Sequence, residues 1–180
     1  ELSQHMGELA SKNIAASESS CFLGGGAYDH FIPAAVDNLA SRGEFYTSYT
    51  PYQAEVSQGT LQAIFEYQTI VCRLLDMECA NASVYDGGTA LYEALMMAVR
   101  KTKRRKVVVS EALNPIYRVM LDSYTSNLNL EFVTVAHKNG RTDMDGLKAA
   151  IDKDTAAVMV QNPNFFGSVN DFTELFAAAK

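Results

Sequence analysis

Cysteine is scarce. Cys21, Cys72 and Cys79 are the full complement in 180 residues, and no two stand in a CxxC spacing. A reduced, intracellular setting is the simplest account of such usage. Histidine is equally sparse: His5, His30 and His137 lie far apart, and no two share a helical turn as zinc-binding pairs often do. No apolar run approaches the roughly 18 residues that a membrane span needs. Positive charge is in deficit. The net charge is -6 and the pI is near 5.0, which argues against general affinity for nucleic acid or membrane surfaces. GxGxxG and GxxxxGK[ST] are both missing, so no nucleotide fingerprint is present. There is no internal repeat at a solenoid period and no low-complexity tract. An initiating methionine is also missing. The chain starts at Glu1 inside one helical pattern and stops at Lys180 inside another. It is therefore expected to be a piece of a longer protein, and the lack of a targeting segment carries no information.

What is present is an ordinary soluble composition, 48% hydrophobic and 20% charged, at a length that suits one domain. Residues 1–80 are expected to form an amino-terminal helical and connecting segment. "ELSQHMGELASKN" places Leu2, Met6 and Leu9 at helical spacing. "PAAVDNLASRG" predicts a helix with Pro33 in its first turn. "TLQAIFEYQTIVCRLLDM" is the clearest helix, with Leu61, Ile64, Phe65, Tyr67, Val71, Leu74 and Leu75 mostly on one broad face. Residues 81–180 then alternate. "ASVYD", "KVVVS", "LEFVTVA" and "AAVMVQ" predict strands, and 10–15-residue helical patterns follow them. That order argues an α/β fold with a mostly parallel sheet covered on both faces. Continuous apolar runs such as "VVV" fit strands buried on both sides. Ligands in such folds sit beyond the carboxyl ends of the strands, so the turns "YDGGT", "SEALNP", "AHKNG" and "QNPNFFG" are the places to examine.

Several stretches invite a functional reading, and each has a structural rival. In "FYTSYTPYQAEVSQG", residues 45–59, Tyr46, Tyr49 and Tyr52 recur every third residue. A period of 3 matches an extended polyproline-type segment, in which the three rings point one way and suit a partner or ligand. The rival is a loop whose tyrosines cover a neighbouring helix. In "SVYDGGTALYEA", Gly87 and Gly88 would let backbone approach a phosphate, and Thr89 could cap the helix or donate to that phosphate. Asp86 at the same helix end would repel a dianion, so a self-capped turn is the equal alternative. "LGGGAYDHF" follows a helix rather than a strand, which favours a connector over a phosphate cradle. Asp29 and His30 are sequence neighbours, which rarely face each other as a catalytic pair. Residues 100–106, "RKTKRRK", hold six basic residues in seven. They read as a solvated helix end or as a docking patch for an acidic partner. "QNPNFFG" is either a packed loop or one that shapes an active-site rim or a subunit interface. No lysine sits in an apolar strand-end context that would fit it to be a Schiff-base nucleophile.

The run from "GAYDHFIPAAVDNLASRGEFYTSYTPYQAEVSQG", through "ANASVYDGGTALYEA", to "VQNPNFFGSVND" resembles the glycine cleavage P-protein family, glycine dehydrogenase (decarboxylating), in the subunit 1 branch of its two-subunit bacterial form. The likeness covers essentially the whole chain. It implies the fold-type-I transferase fold of enzymes dependent on pyridoxal phosphate (PLP), here the large domain truncated at both ends. It implies a cytoplasmic heterotetramer in glycine catabolism whose cofactor, PLP, is held by the partner subunit 2 and not by this chain. The implied reaction decarboxylates glycine and transfers the aminomethyl group to the lipoyl arm of H-protein. Active sites of this fold lie between paired subunits. The resemblance therefore implies that Tyr46, Tyr49, Tyr52, Gln53, Ser57 and Gln58 are candidates for the wall of the partner's site, with Glu55 holding the loop. Gly87, Gly88 and Thr89 remain weak candidates for cofactor binding. No metal site, nucleic-acid partner or membrane is expected. The isolated fragment is expected to be inactive. The alternative is a non-catalytic scaffold or interaction subunit of a PLP enzyme complex.

Overall fold

The structure, a computed structural model, describes residues 1–24 and 30–180. Most of the glycine-rich connector and Asp29 of the Asp29–His30 pair lie outside the described residues. In chain order the elements are α1 (Leu2–Ala10), α2 (Ala34–Ala40), α3 (Gly43–Tyr46), α4 (Gln58–Leu75), α5 (Gly87–Thr102), β1 (Lys106–Ser110), α6 (Pro115–Thr125), β2 (Glu131–Val135), α7 (Met144–Ala150), β3 (Thr155–Met159) and α8 (Thr173–Ala179). They fall into two compact units, Glu1–Tyr67 and Gln68–Lys180.

The first unit is helical, and none of its described residues is buried. Pro33 stands immediately before α2, where its fixed φ and missing N–H cost nothing. α3 is a single turn, with Arg42 paired to Glu44 at 2.9 Å before it and the Thr47 hydroxyl donating to the Gly43 carbonyl at 2.6 Å after it. This corrects the expectation of one extended tyrosine row. Tyr46 belongs to the α3 turn, and only Tyr49 and Tyr52 lie in irregular chain. The Tyr52 N–H donates to the Thr50 carbonyl at 2.7 Å, a tight local turn that interrupts a polyproline path. Along α4 the half-buried positions are a narrow stripe that includes Leu61, Ile64, Val71 and Cys72, while Phe65, Leu74 and Leu75 stay exposed.

The second unit holds the sheet, in the order β2-β1-β3, with both pairings parallel. β1 is central, and Val107, Val108 and Val109 are all buried because both neighbours and both faces are filled. Side chains alternate across the pleat. Val107 and Val109 therefore pack with Leu95 of α5, Leu121 of α6 and Met159 of β3 on one face. Val108 packs with Leu147 of α7 and Leu175 of α8, and with Phe172, on the other. Each fully buried leucine or valine contributes about 1.5–3 kcal/mol, and these two layers are the source of the unit's cohesion. The two connections share one hand, as the common preference of parallel crossovers leads one to expect. β1 reaches β2 through α6 on one face, and β2 returns past β1 to β3 through α7 on the opposite face.

One expected strand is missing. Residues 82–86 of "ASVYD" form no strand: Ser83 has φ 101°, and Tyr85 is fully exposed, so the apolar run neither pairs nor packs. The other expected strands and helices form, with bounds shifted by up to three residues.

Candidate functional site at the carboxyl ends of the strands

β1 and β3 are neighbours, yet their chains leave in opposite directions, β1 to α6 on one face and β3 to α8 on the other. That is a topological switch point, where α/β sheets open a crevice. Three turns meet there. The turn after β3 crosses toward β1, because the Phe165 N–H donates to the Ala112 carbonyl at 2.9 Å. Gln161 accepts from the Asn114 N–H at 2.9 Å and ties the same two turns again.

Asn164 organises the crevice. It is 3% exposed. Its Oδ1 accepts from the N–H groups of Phe166 and Ser168, both at 3.0 Å, and its Nδ2 donates to the Gly140 carbonyl at 2.9 Å. Gly140 has φ 77°, a left-handed backbone that favours glycine, and a Cβ there would make ordinary contact with Phe166 at 3.4 Å. Phe166 in turn meets the His137 ring edge-on at a centroid distance of 4.7 Å. His137 accepts the Gly140 N–H on Nδ1 at 3.2 Å. Its proton therefore sits on Nε2, which lies 4.0 Å from Glu111 Oε2. The same carboxylate oxygen accepts the His137 N–H at 3.1 Å. Glu111 and His137 thus form a half-exposed acid–imidazole pair at the ends of β1 and β2.

The turn before α5 is closed by its own residues. Asp86 Oδ1 accepts the Thr89 N–H at 2.7 Å. That bond and the Thr89 hydroxyl hold the Asp86 carboxyl below its ordinary range. A Cβ on Gly87 would lie 2.7 Å from the Tyr117 hydroxyl, and one on Gly88 would lie 2.6 Å from the Met120 sulfur. The small size of both glycines is used to seat α6 against α5. Among lysines near strand ends, Lys138 pairs with Asp143 at 2.8 Å. The Asp143 carboxylate raises the Lys138 pKa, which keeps the amine charged and poorly nucleophilic.

The basic run lies at the opposite, amino end of the strands. Arg104 donates to the Thr155 carbonyl at 3.1 Å, Arg105 reaches the Leu128 and Asn129 carbonyls at 3.4 Å, and Lys106 pairs with Asp152 at 2.6 Å. Half the run therefore ties strand starts together, and Arg100, Lys101 and Lys103 are left as an exposed cluster.

The tyrosine-loop candidates belong to the first unit. Tyr46, Tyr49 and Tyr52 are 83%, 80% and 81% exposed. The Tyr49 and Tyr52 rings lie 6.0 Å apart, tilted by 41°. The Gln53 carbonyl accepts from the N–H groups of Val56 and Ser57, both at 3.1 Å, which curls the loop into α4, and Gln58 is the first residue of that helix. Glu111, His137, Gly140 and Asn164 are the residues that sequence reasoning did not single out. The available signal was their position in the turns after strands. Among the described residues no group of three or more metal-ligating side chains gathers, and no helix is long and apolar enough to cross a membrane.

An open parallel sheet clad by helices on both faces, with its crevice at a switch point beyond the carboxyl ends, defines the large-domain architecture of the fold-type-I PLP-transferase-like class. The profile of one family, the glycine cleavage system P-protein, matches residues 1–180, and the chain belongs to that family. Its relatives include the probable glycine dehydrogenase (decarboxylating) subunit 1 of Maridesulfovibrio salexigens, 72% identical over 97% of this chain and 39% of that protein. The protein of the same name from Oleidesulfovibrio alaskensis is 65% identical over the whole chain and 40% of its own length. A crystal structure of glycine decarboxylase (P-protein) of the glycine cleavage system, in inhibitor-bound form, superposes with a TM-score of 0.90 at 44% identity. That match covers 99% of this chain and 39% of that one. The chain thus spans about two fifths of the length of the relatives it matches.

Proposed function

We propose that this chain is part of a glycine cleavage P-protein subunit that works with a PLP-bearing partner, subunit 2. Together they decarboxylate glycine and pass the aminomethyl group to the lipoyl arm of H-protein. The chain's contribution is a wall for the partner's pocket, built from residues 46–59. The observation that carries this reading is the closed turn before α5. A cradle for the PLP phosphate needs free N–H groups and open space over its glycines. Here the Asp86 carboxylate takes the Thr89 N–H, and Tyr117 and Met120 fill the space over Gly87 and Gly88. A dianion would meet a carboxylate at that helix end. The turn does not fit the group.

When bound on the partner, PLP supplies an electron sink for the carbon that loses carbon dioxide. The exposed tyrosines supply what such a reaction needs from a wall. Their flat rings exclude water, and their hydroxyls donate hydrogen bonds to a carboxylate or to the incoming carrier arm. Gln53, Ser57 and Gln58 add polar contacts, and Glu55 holds the loop.

In the reconstituted complex, Tyr49→Phe with Tyr52→Phe should lower kcat for glycine decarboxylation by about tenfold, the size expected for lost transition-state hydrogen bonds. Unchanged kinetics would overturn the assignment. Full-length subunit purified without its partner should show no visible absorption from bound coenzyme, and a coenzyme band there would also overturn it. A purely scaffolding role is the second reading, favoured by a first unit in which none of the described residues is buried. It predicts that the same double substitution weakens assembly and leaves kcat per assembled complex unchanged.

A further inference from the structure

α6 crosses the sheet so that Arg118, Leu121 and Asp122 face Val109 of β1 and Phe132 and Thr134 of β2. These six residues line a half-open cavity of about 180 Å³, enough for a molecule of a few heavy atoms. Its floor is apolar: Val109 and Leu121 are buried, and Phe132 packs against the same core. Its polar residues are Arg118, Asp122 and Thr134.

Two features make this more than a packing gap. The Arg118 Nε is buried and has no hydrogen-bond partner. A buried N–H left unmade is costly, and among the described residues the chain offers this guanidinium no acceptor. Arg118 and Asp122 are also one helical turn apart, at the spacing that normally closes an ion pair. Among the described residues neither pairs with the other nor with any third group. Two opposite charges therefore border one small cavity without neutralising each other.

We propose that this cavity binds a small zwitterionic amino acid. The carboxylate sits on the Arg118 guanidinium, whose planar fork matches it. The ammonium sits on Asp122, the Thr134 hydroxyl adds a hydrogen bond, and the α-carbon rests on the apolar floor. The charge pair sets the selectivity. A phosphate gains Arg118 and is repelled by Asp122, and a simple amine meets the reverse. The volume admits glycine, alanine or serine. The cavity lies wholly within the second unit, and the inference does not depend on the function proposed above.

The test uses full-length subunit purified without partner or PLP, with glycine as the probe in calorimetric or saturation-transfer NMR titrations. Acetate, methylammonium and inorganic phosphate are the comparison ligands. Glycine should bind saturably in the millimolar range, as two partly solvated charge contacts allow, and more tightly than each comparison ligand. Arg118→Gln should weaken glycine binding by about tenfold. Asp122→Asn should weaken it by a similar factor while leaving acetate binding equal or stronger. Asp122 is exposed and asparagine is isosteric with it, so this variant decides the matter even if Arg118→Gln folds poorly. No saturable binding, equal glycine affinity in wild type and Asp122→Asn, or tighter binding of phosphate than of glycine would overturn the proposal. Activity of the assembled complex is not measured, so failure here and failure of the decarboxylation reading remain distinguishable.

Discussion

Asn164 makes three close polar contacts from a side chain that water barely reaches, and it joins the turn after β3 to the turn after β2. Asn164→Ala strands two N–H groups and one carbonyl at a buried site. Each lost partner costs about 1–3 kcal/mol, partly relieved by solvent entry, so a destabilisation of about 3 kcal/mol is expected. Urea unfolding measures it, and a loss below about 0.5 kcal/mol would mean the clamp is not structural. Asn164→Asp keeps the oxygen that accepts both N–H groups, but it loses the donor to the Gly140 carbonyl and the Thr142 hydroxyl and buries a charge beside them, so it should also be destabilised. The sequence marks Asn162, Pro163 and Asn164 as a turn. It does not reveal that Asn164 reaches Gly140, 24 residues upstream, because that contact exists only once the two turns are brought to one end of the sheet. The Glu111–His137 pair was hidden for the same reason. Gly87 and Gly88 were visible as glycines, but the sequence cannot tell backbone close to a ligand from backbone close to Tyr117 and Met120.

At the scale of elements, three helices of the second unit start on side-chain caps. Asp86 caps α5, Asn114 caps α6 and Asp143 caps α7. Strand-to-helix alternation was legible because buried parallel strands and amphipathic helices differ in period. The run at 82–86 failed for want of a partner strand, which no local pattern encodes. The tyrosine repeat failed as a row because the α3 turn captured Tyr46. The caps carry a pH consequence. The Thr89 N–H and hydroxyl lower the Asp86 pKa, the Lys138 ammonium and then the Gly146 N–H lower that of Asp143, and the Lys106 ammonium and the Asp154 N–H lower that of Asp152. Each carboxyl is thus more acidic folded than unfolded. Its contribution to stability is fully present above the unfolded value of about 4, and it is lost as pH falls through the lower folded value. The melting temperature should therefore fall steadily between about pH 5 and pH 3. Asp86→Asn with Asp143→Asn keeps two cap acceptors and removes two titrating groups, so its acid loss should be shallower. A wild-type melting temperature that is flat over that range would refute the sign.

At the scale of the whole molecule, the two units differ in kind. The second has two buried layers on one sheet. In the first, every described residue keeps at least part of its surface in solvent, and Phe22 and Phe31 are 94% and 92% exposed. Helical periodicity in the sequence revealed its helices but not the lack of a core, because an amphipathic stripe looks the same whether it packs within the unit or outside it. Most of a helix's stability comes from the packing of its apolar face, so helices without buried faces open readily. Such a unit gains stability when apolar surface covers its exposed side chains. Brief trypsin treatment of the uncomplexed chain should therefore cut first at Lys12 and Arg42, leaving the sheet-bearing unit intact. In the complete complex those two sites should be cut at least about tenfold more slowly, since cleavage follows the population of the open form. Binding of a fluorescent hydrophobic dye should fall in parallel as the partner is added. Equal cleavage rates at both sites with and without the partner would show that the exposed aromatic surface stays free in the assembly, and the wall proposed for residues 46–59 would lose its basis.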